Sequence, residues 1–178
     1  MLTLLLRDRQ PDCRGAGGRV PHLIVEYSAN AEDRIGLEQL LDALHATALA
    51  TGIFPEGGLR VRAFRADHYR IADRHPDNAY VHVTALVGYG RPLDVRERAG
   101  GQLFECLKTH LAPAFEAGPL AISFNIQEFD PVLNFKHNNL HRYVKSRREG
   151  GPDARPADAS TGREAGPNAR SADVSAGR

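Results

Sequence analysis

The segment "GGRVPHLIVEY", residues 17–27, joins two unlike pieces of chain at a proline. An internal proline nitrogen is a tertiary amide with its lone pair drawn into the carbonyl, and it is no base. A proline that begins a chain is a secondary amine, with an unperturbed pKa of roughly 8. Burial and neighbouring cations lower that value, because both disfavour the charged form. Pro21 would then sit where a general base for proton transfer near neutrality belongs. Two arginines could complement it. Arg60 alternates with Arg62 on the less apolar side of "GGLRVRAF", and Arg91 closes "GYGR" just before a helix pattern. A planar guanidinium matches a carboxylate, and a helix amino end favours anions. On pattern alone, a proline at a strand start is ordinary and both arginines are ordinary surface charges.

Other chemistry-bearing residues form weaker patterns. His68, His75 and His82 fall in a loop or on a strand and make no metal site. His137 and His141 are four apart, but no carboxylate or cysteine completes a ligand set. "GYGR" lacks the full dinucleotide fingerprint. His82, in mid-strand, reads as a packed or interface histidine. "NFKHNNLH", residues 134–141, reads as closing a sheet edge or a subunit contact.

The elements that must position these residues are legible from periodicity. The 178 residues are 42% apolar and 25% charged, with a net charge of +1, which suits one soluble domain and gives no field for nucleic acid or anionic membrane. Cys13 and Cys106 form neither a metal spacing nor a disulfide framework, so a reduced, cytoplasmic setting is expected. Leu2–Leu6 is too short an apolar run, and too soon followed by charge, for a secretory signal. No stretch is long enough to span a membrane.

"PHLIVEY" reads as a strand. Asn30 offers a helix N-cap, followed by Leu37, Leu40, Leu41, Leu44 and Ala48 at helical spacing and closed by Gly52. Leu59, Val61 and Ala63 share one face of the next strand. The plan then repeats. Val81, Val83, Ala85 and Val87 line a strand, and Pro92 suits the first position of a helix. Leu103, Leu107 and Leu111 stripe that helix, with Pro113 and Gly118 expected to end it. Leu120, Ile122, Phe124 and Ile126 line the last strand. Two β-α-β units imply an α+β two-layer fold, a four-stranded sheet with both helices on one face. The opposite face, with Arg60, Ser123 and Asn125, is left to solvent or to other subunits, which suggests an oligomer.

Three zones follow: a lead over residues 1–20, a folded domain over 21–143, and an Arg-, Ala-, Gly- and Pro-rich tail over 144–178 expected to be disordered. The tail echoes itself, "GPDARPADAS" against "GPNARSADVS", as low-complexity duplication.

"PHLIVEYSAN", "ATGIFPEGGLRVRA", "HPDNAYVHVTALVGYGR" and "ISFNIQEFDPVLNFKHNNLH" together resemble the 5-carboxymethyl-2-hydroxymuconate isomerase family of the tautomerase superfamily. The resemblance covers residues 21 to about 143. It implies a tautomerase-like fold with a mixed sheet, a homotrimer, no cofactor and no metal. It also implies an amino-terminal proline as base, mapped onto Pro21, and two substrate-binding arginines, mapped onto Arg60 and Arg91. The implied activity converts a muconate-type dienol to its conjugated oxo acid in homoprotocatechuate (4-hydroxyphenylacetate) degradation. The lead departs from the pattern, because it makes Pro21 an amide. A bacterial GTG start at Val20, read as methionine and trimmed before proline, would free the nitrogen and leave residues 1–20 outside the protein. Two rivals remain open: a tautomerase for another 2-hydroxydienoate or enol, and a non-catalytic trimeric protein of the same fold whose lead blocks Pro21.

Overall fold

The structure is a computed structural model and describes residues 21–151. The expectations about residues 1–20, Cys13 and the repeated tail sequence lie outside the described residues.

Four strands carry the alternation read from the sequence. β1 (His22–Ser28) lies between β2 (Arg60–Ala66), which it pairs in parallel, and β3 (Ala79–Val87), which it pairs antiparallel. β4 (Leu120–Glu128) pairs in parallel with β3, giving the order β2-β1-β3-β4. The register puts Leu23 opposite Val61 and Ala85, Val25 opposite Ala63 and Val83, and Val83 opposite Phe124. With a side-chain period of two, this register gathers the apolar residues of all four strands on one face.

Two helices cover that face. α2 (Leu37–Ala50) buries Leu40, Leu44 and Ala48, and α3 (Leu93–Ala117) buries Leu103, Leu107, Leu111 and Ala114. These residues and the strand residues Leu23, Val25, Val81, Val83 and Val87 form one core. Each fully buried leucine or valine contributes about 1.5–3 kcal/mol, so the two helical stripes fix the layer. The architecture is the two-layer α+β arrangement expected, with a mixed sheet.

Several local expectations are corrected. Asn30 caps no helix: its amide donates to the carbonyls of Pro76 and Asn78, tying the end of β1 to the approach to β3. A 3-10 turn (Ala29–Ala31) and a short helix, α1 (Glu32–Ile35), precede α2. Gly36 separates the two helices at φ +53°, a left-handed conformation that suits glycine. Pro92 stands one place before α3 as its N-cap, not at its first helical position. Pro113 does not end α3, which runs on to Ala117. Its ring is exposed while Leu111 and Ala114 on either side are buried, so packing holds the turn despite the missing N–H.

The tail boundary is also corrected. Residues 140–148 form a fourth helix, α4 (Leu140–Arg148), so order continues past 144. α4 buries no side chain and is held by specific contacts. Arg148 pairs with Glu56, and His141 lies against Gly57, where an added Cβ would come within 2.7 Å of the histidine Cα. Among the described residues, no helix is long and apolar enough to cross a membrane.

Candidate active site

The start of β1, the start of β2, the end of β3 and the end of β4 meet at one end of the sheet. His22 is opposite Arg60 on one side and Leu86 on the other, and the Phe129 N–H donates to the Val87 carbonyl at 2.9 Å. Pro21, immediately before β1, is fully buried. Its carbonyl accepts the Arg60 N–H at 3.1 Å, which fixes the first residue of β2 beside it.

A cleft of about 320 Å³ opens at this end of the sheet. His22, Arg60, Phe129, Lys136 and Asn138 are among its lining, and no carboxylate is among the described residues that form it. Arg60 donates to the Gly58 carbonyl at 3.2 Å, within its own turn. Asn138 donates to the Gly57 carbonyl at 3.1 Å, so the segment after β4 is fastened to the turn that launches Arg60. The polar run 134–138 is therefore a wall of the cleft, where the sequence suggested a sheet edge or a subunit contact.

His22 has an unusual neighbourhood. Burial, then the positive charges of Arg62, Arg60 and Lys136, hold its pKa below the ordinary histidine range. An Arg62 N–H meets His22 Nδ1 at 2.5 Å, and since a guanidinium only donates, Nδ1 accepts. The ring stands edge-on to Phe129 with centroids 5.8 Å apart, and the Lys136 ammonium lies 5.7 Å from the Phe129 centroid. Three cations thus surround a neutral imidazole next to Pro21. Such a site attracts a polyanion.

Arg91 occupies a different position. It follows β3 at the same sheet end, yet it is not among the described residues lining the cleft. Its guanidinium donates to the Gly88 carbonyl at 2.9 Å and to the Ile53 carbonyl at 2.6 Å, joining the turn after β3 to the loop after α2. Glu128 braces the same turn, accepting the Gly90 N–H and pairing with Arg96. The structure brings Pro21 and Arg60 together and sets Arg91 behind the adjoining turn.

The sequence reading did not single out His22, Phe129 or Lys136. Their only signal was proximity: His22 follows Pro21, and Lys136 lies in the polar run after the last strand. Among the described residues, no group of three or more His, Cys, Asp or Glu could hold a metal ion. His137 is exposed and His141 packs on Gly57. His82 bonds Ser123 and Thr84 on the open face of the sheet.

Two β-α-β units over one mixed sheet, with a cationic cleft at the end where β1 begins, give the chain a tautomerase-like two-layer fold. The model of the 5-carboxymethyl-2-hydroxymuconate isomerase family matches residues 21–144, and the chain belongs to that family. The 5-carboxymethyl-2-hydroxymuconate Delta-isomerase of Escherichia coli is 45% identical over 126 residues, which span 71% of this chain and all of that protein. Among solved structures, a 5-carboxymethyl-2-hydroxymuconate isomerase from Deinococcus radiodurans R1 superposes with a TM-score of 0.66 at 37% identity, over 70% of this chain and 94% of its own. A second 5-carboxymethyl-2-hydroxymuconate delta-isomerase gives the same TM-score at 28% identity, over 70% and 93%. A member of the cis-3-chloroacrylic acid dehalogenase family, 12% identical with a TM-score of 0.50, shares the fold alone.

Proposed function

We propose that this protein isomerises 5-carboxymethyl-2-hydroxymuconate, or a close 2-hydroxydienoate, with Pro21 as a free amino-terminal base, in homoprotocatechuate breakdown in the cytoplasm. The observation that carries this reading is the starting point of the family match, which begins at Pro21 and leaves the lead aside. Burial of Pro21 supports it, because burial lowers the pKa of an amine. Arg60, the first residue of β2, is tied to Pro21 by a backbone hydrogen bond.

The reaction is a proton shift with no change of oxidation state. The Pro21 amine takes the proton of the 2-hydroxyl group, leaving a dienolate. The resulting ammonium returns a proton to a carbon further along the conjugated system. Arg60 and Arg91 bind carboxylates and stabilise charge as it develops on the dienolate. No cofactor is required. For Arg91 this reading requires its guanidinium to serve an anion while it also ties two loops.

The open sheet face, with Arg62, His82 and Ser123, supports assembly as a trimer. Phe64 on that face is 53% exposed, and the Asn125 side-chain oxygen is buried with no partner among the described residues.

The test compares isomerase activity of the full chain and of a form beginning at Pro21, each checked by intact mass. Activity in the second and a loss of at least about 10³-fold in the first is expected for a blocked base. Pro21→Ala in the short form should fall similarly. Equal activity in both forms, with the nitrogen still acylated in the long one, would remove the amine mechanism.

A further inference from the structure

We infer that Lys136 is a binding residue for a third carboxylate, carried on a flexible saturated arm of the substrate. This rests on the proposed function, which takes the cleft as the substrate site and gives Arg60 and Arg91 one carboxylate each. The substrate in the family's name has two muconate carboxylates and one carboxymethyl group, and the two arginines account for two of the three.

Lys136 is placed for the remaining one. It lines the same cleft as Arg60 but comes from a different part of the chain, the segment after β4. Both cations act on the His22 ring, so one ligand in the cleft meets both fields. The Phe129 ring under the ammonium confines it through a cation–π contact. The fastening of Asn138 to Gly57 keeps this wall in register with β2.

The choice of lysine fits the arm. A carboxylate conjugated to a diene is coplanar with it, and a guanidinium fork suits that fixed plane. A carboxymethyl group turns about single bonds, and a compact charge on a four-carbon stem follows it. Phe135 beside Lys136 is 87% exposed, and Lys136 itself is exposed, so its replacement leaves the core untouched.

The test uses the full chain and two unreactive probes, propane-1,2,3-tricarboxylate and glutarate, with binding measured by calorimetry at low salt. Lys136→Ala should weaken the tricarboxylate about tenfold and glutarate by less than about twofold. Lys136→Arg should retain most of the tricarboxylate affinity. Equal weakening of both probes, no weakening of either, or no binding of the tricarboxylate by the unaltered chain at about 10 mM would each overturn the inference. The outcome separates from that of the Pro21 test. An inactive short form whose full chain still shows the lysine-dependent difference sinks the base and spares this site. Turnover without that difference does the reverse.

Discussion

The two β-α-β units follow one plan, yet each places its arginine at the opposite end of its helical crossover. In the first unit Arg60 comes after the helix, at the entrance to β2, and folds back on its own turn through Gly58. In the second unit Arg91 comes before the helix, and one of its bonds crosses to Ile53 in the first unit. Arg60 faces the cleft and holds little else together. Arg91 is a strut between units, and the proposed function asks it to bind anion as well. A repeated scaffold thus supplies two cations at one sheet end with unequal structural duties.

Replacing each arginine separates these duties and carries the largest expected effects. Arg60→Ala and Arg91→Ala, in the form beginning at Pro21, should each lower kcat/KM by about 10²–10³-fold. Only Arg91→Ala should also lower stability, by about 1–2 kcal/mol, because it strips two carbonyls of their donor. Thermal melts beside the kinetics decide the matter. An equal drop in Tm for both variants would break the contrast. Full activity in Arg91→Ala would reduce Arg91 to a strut.

The glycine pairs of the two units sharpen the contrast at smaller scale. Gly57, in the 3-10 turn Glu56–Gly58, has α4 pressed on it. A methyl group there meets His141 backbone at 2.7 Å and should cost about 1–3 kcal/mol as an overpacked contact. Gly101, inside α3, has nothing within 4 Å of an added Cβ. Gly101→Ala should therefore stabilise by about 0.5–1 kcal/mol through helix propensity. Urea unfolding of both variants reads the opposite signs. A neutral Gly57→Ala would mean that α4 does not rest on the turn that launches Arg60.

The strands were legible because their alternation is uninterrupted: Val81, Val83, Ala85 and Val87 all point inward as the period of two requires. The proline and the arginines were legible as chemistry and, through the family resemblance, as a set. Order beyond residue 143 was not legible. α4 carries Arg142, Lys145, Arg147 and Arg148 and buries nothing, so no apolar stripe announces it. Its dock is a glycine, which carries no side-chain signal. Lys136 was hidden for a similar reason: the His22 ring that gives it meaning comes from β1, and Phe129 sits seven residues earlier in its own irregular segment. Pro113 misled because a local rule was overridden by burial on both sides of it.

The smallest effect concerns the join between the units on the open face. The Tyr80 hydroxyl on β3 donates to Glu26 on β1 at 2.6 Å. Burial, then that hydrogen bond and the charge of Glu26, push the Tyr80 pKa up to about 12. Its folded value lies above the unfolded value of about 10. The stabilisation it lends is therefore full below pH 10 and is lost as pH rises through about 12. Of the five tyrosines, Tyr80 and Tyr27 are both raised, and Tyr80→Phe should lower the amplitude of the late phenolate transition in ultraviolet absorbance by one residue's worth. Tyr27, raised by burial and by its bond to Glu32, remains in that variant and serves as the internal reference. If Tyr80→Phe leaves the amplitude of the late transition undiminished, the bond between β3 and β1 is not closed in solution, and the two units are joined on this face by their backbone ladder alone.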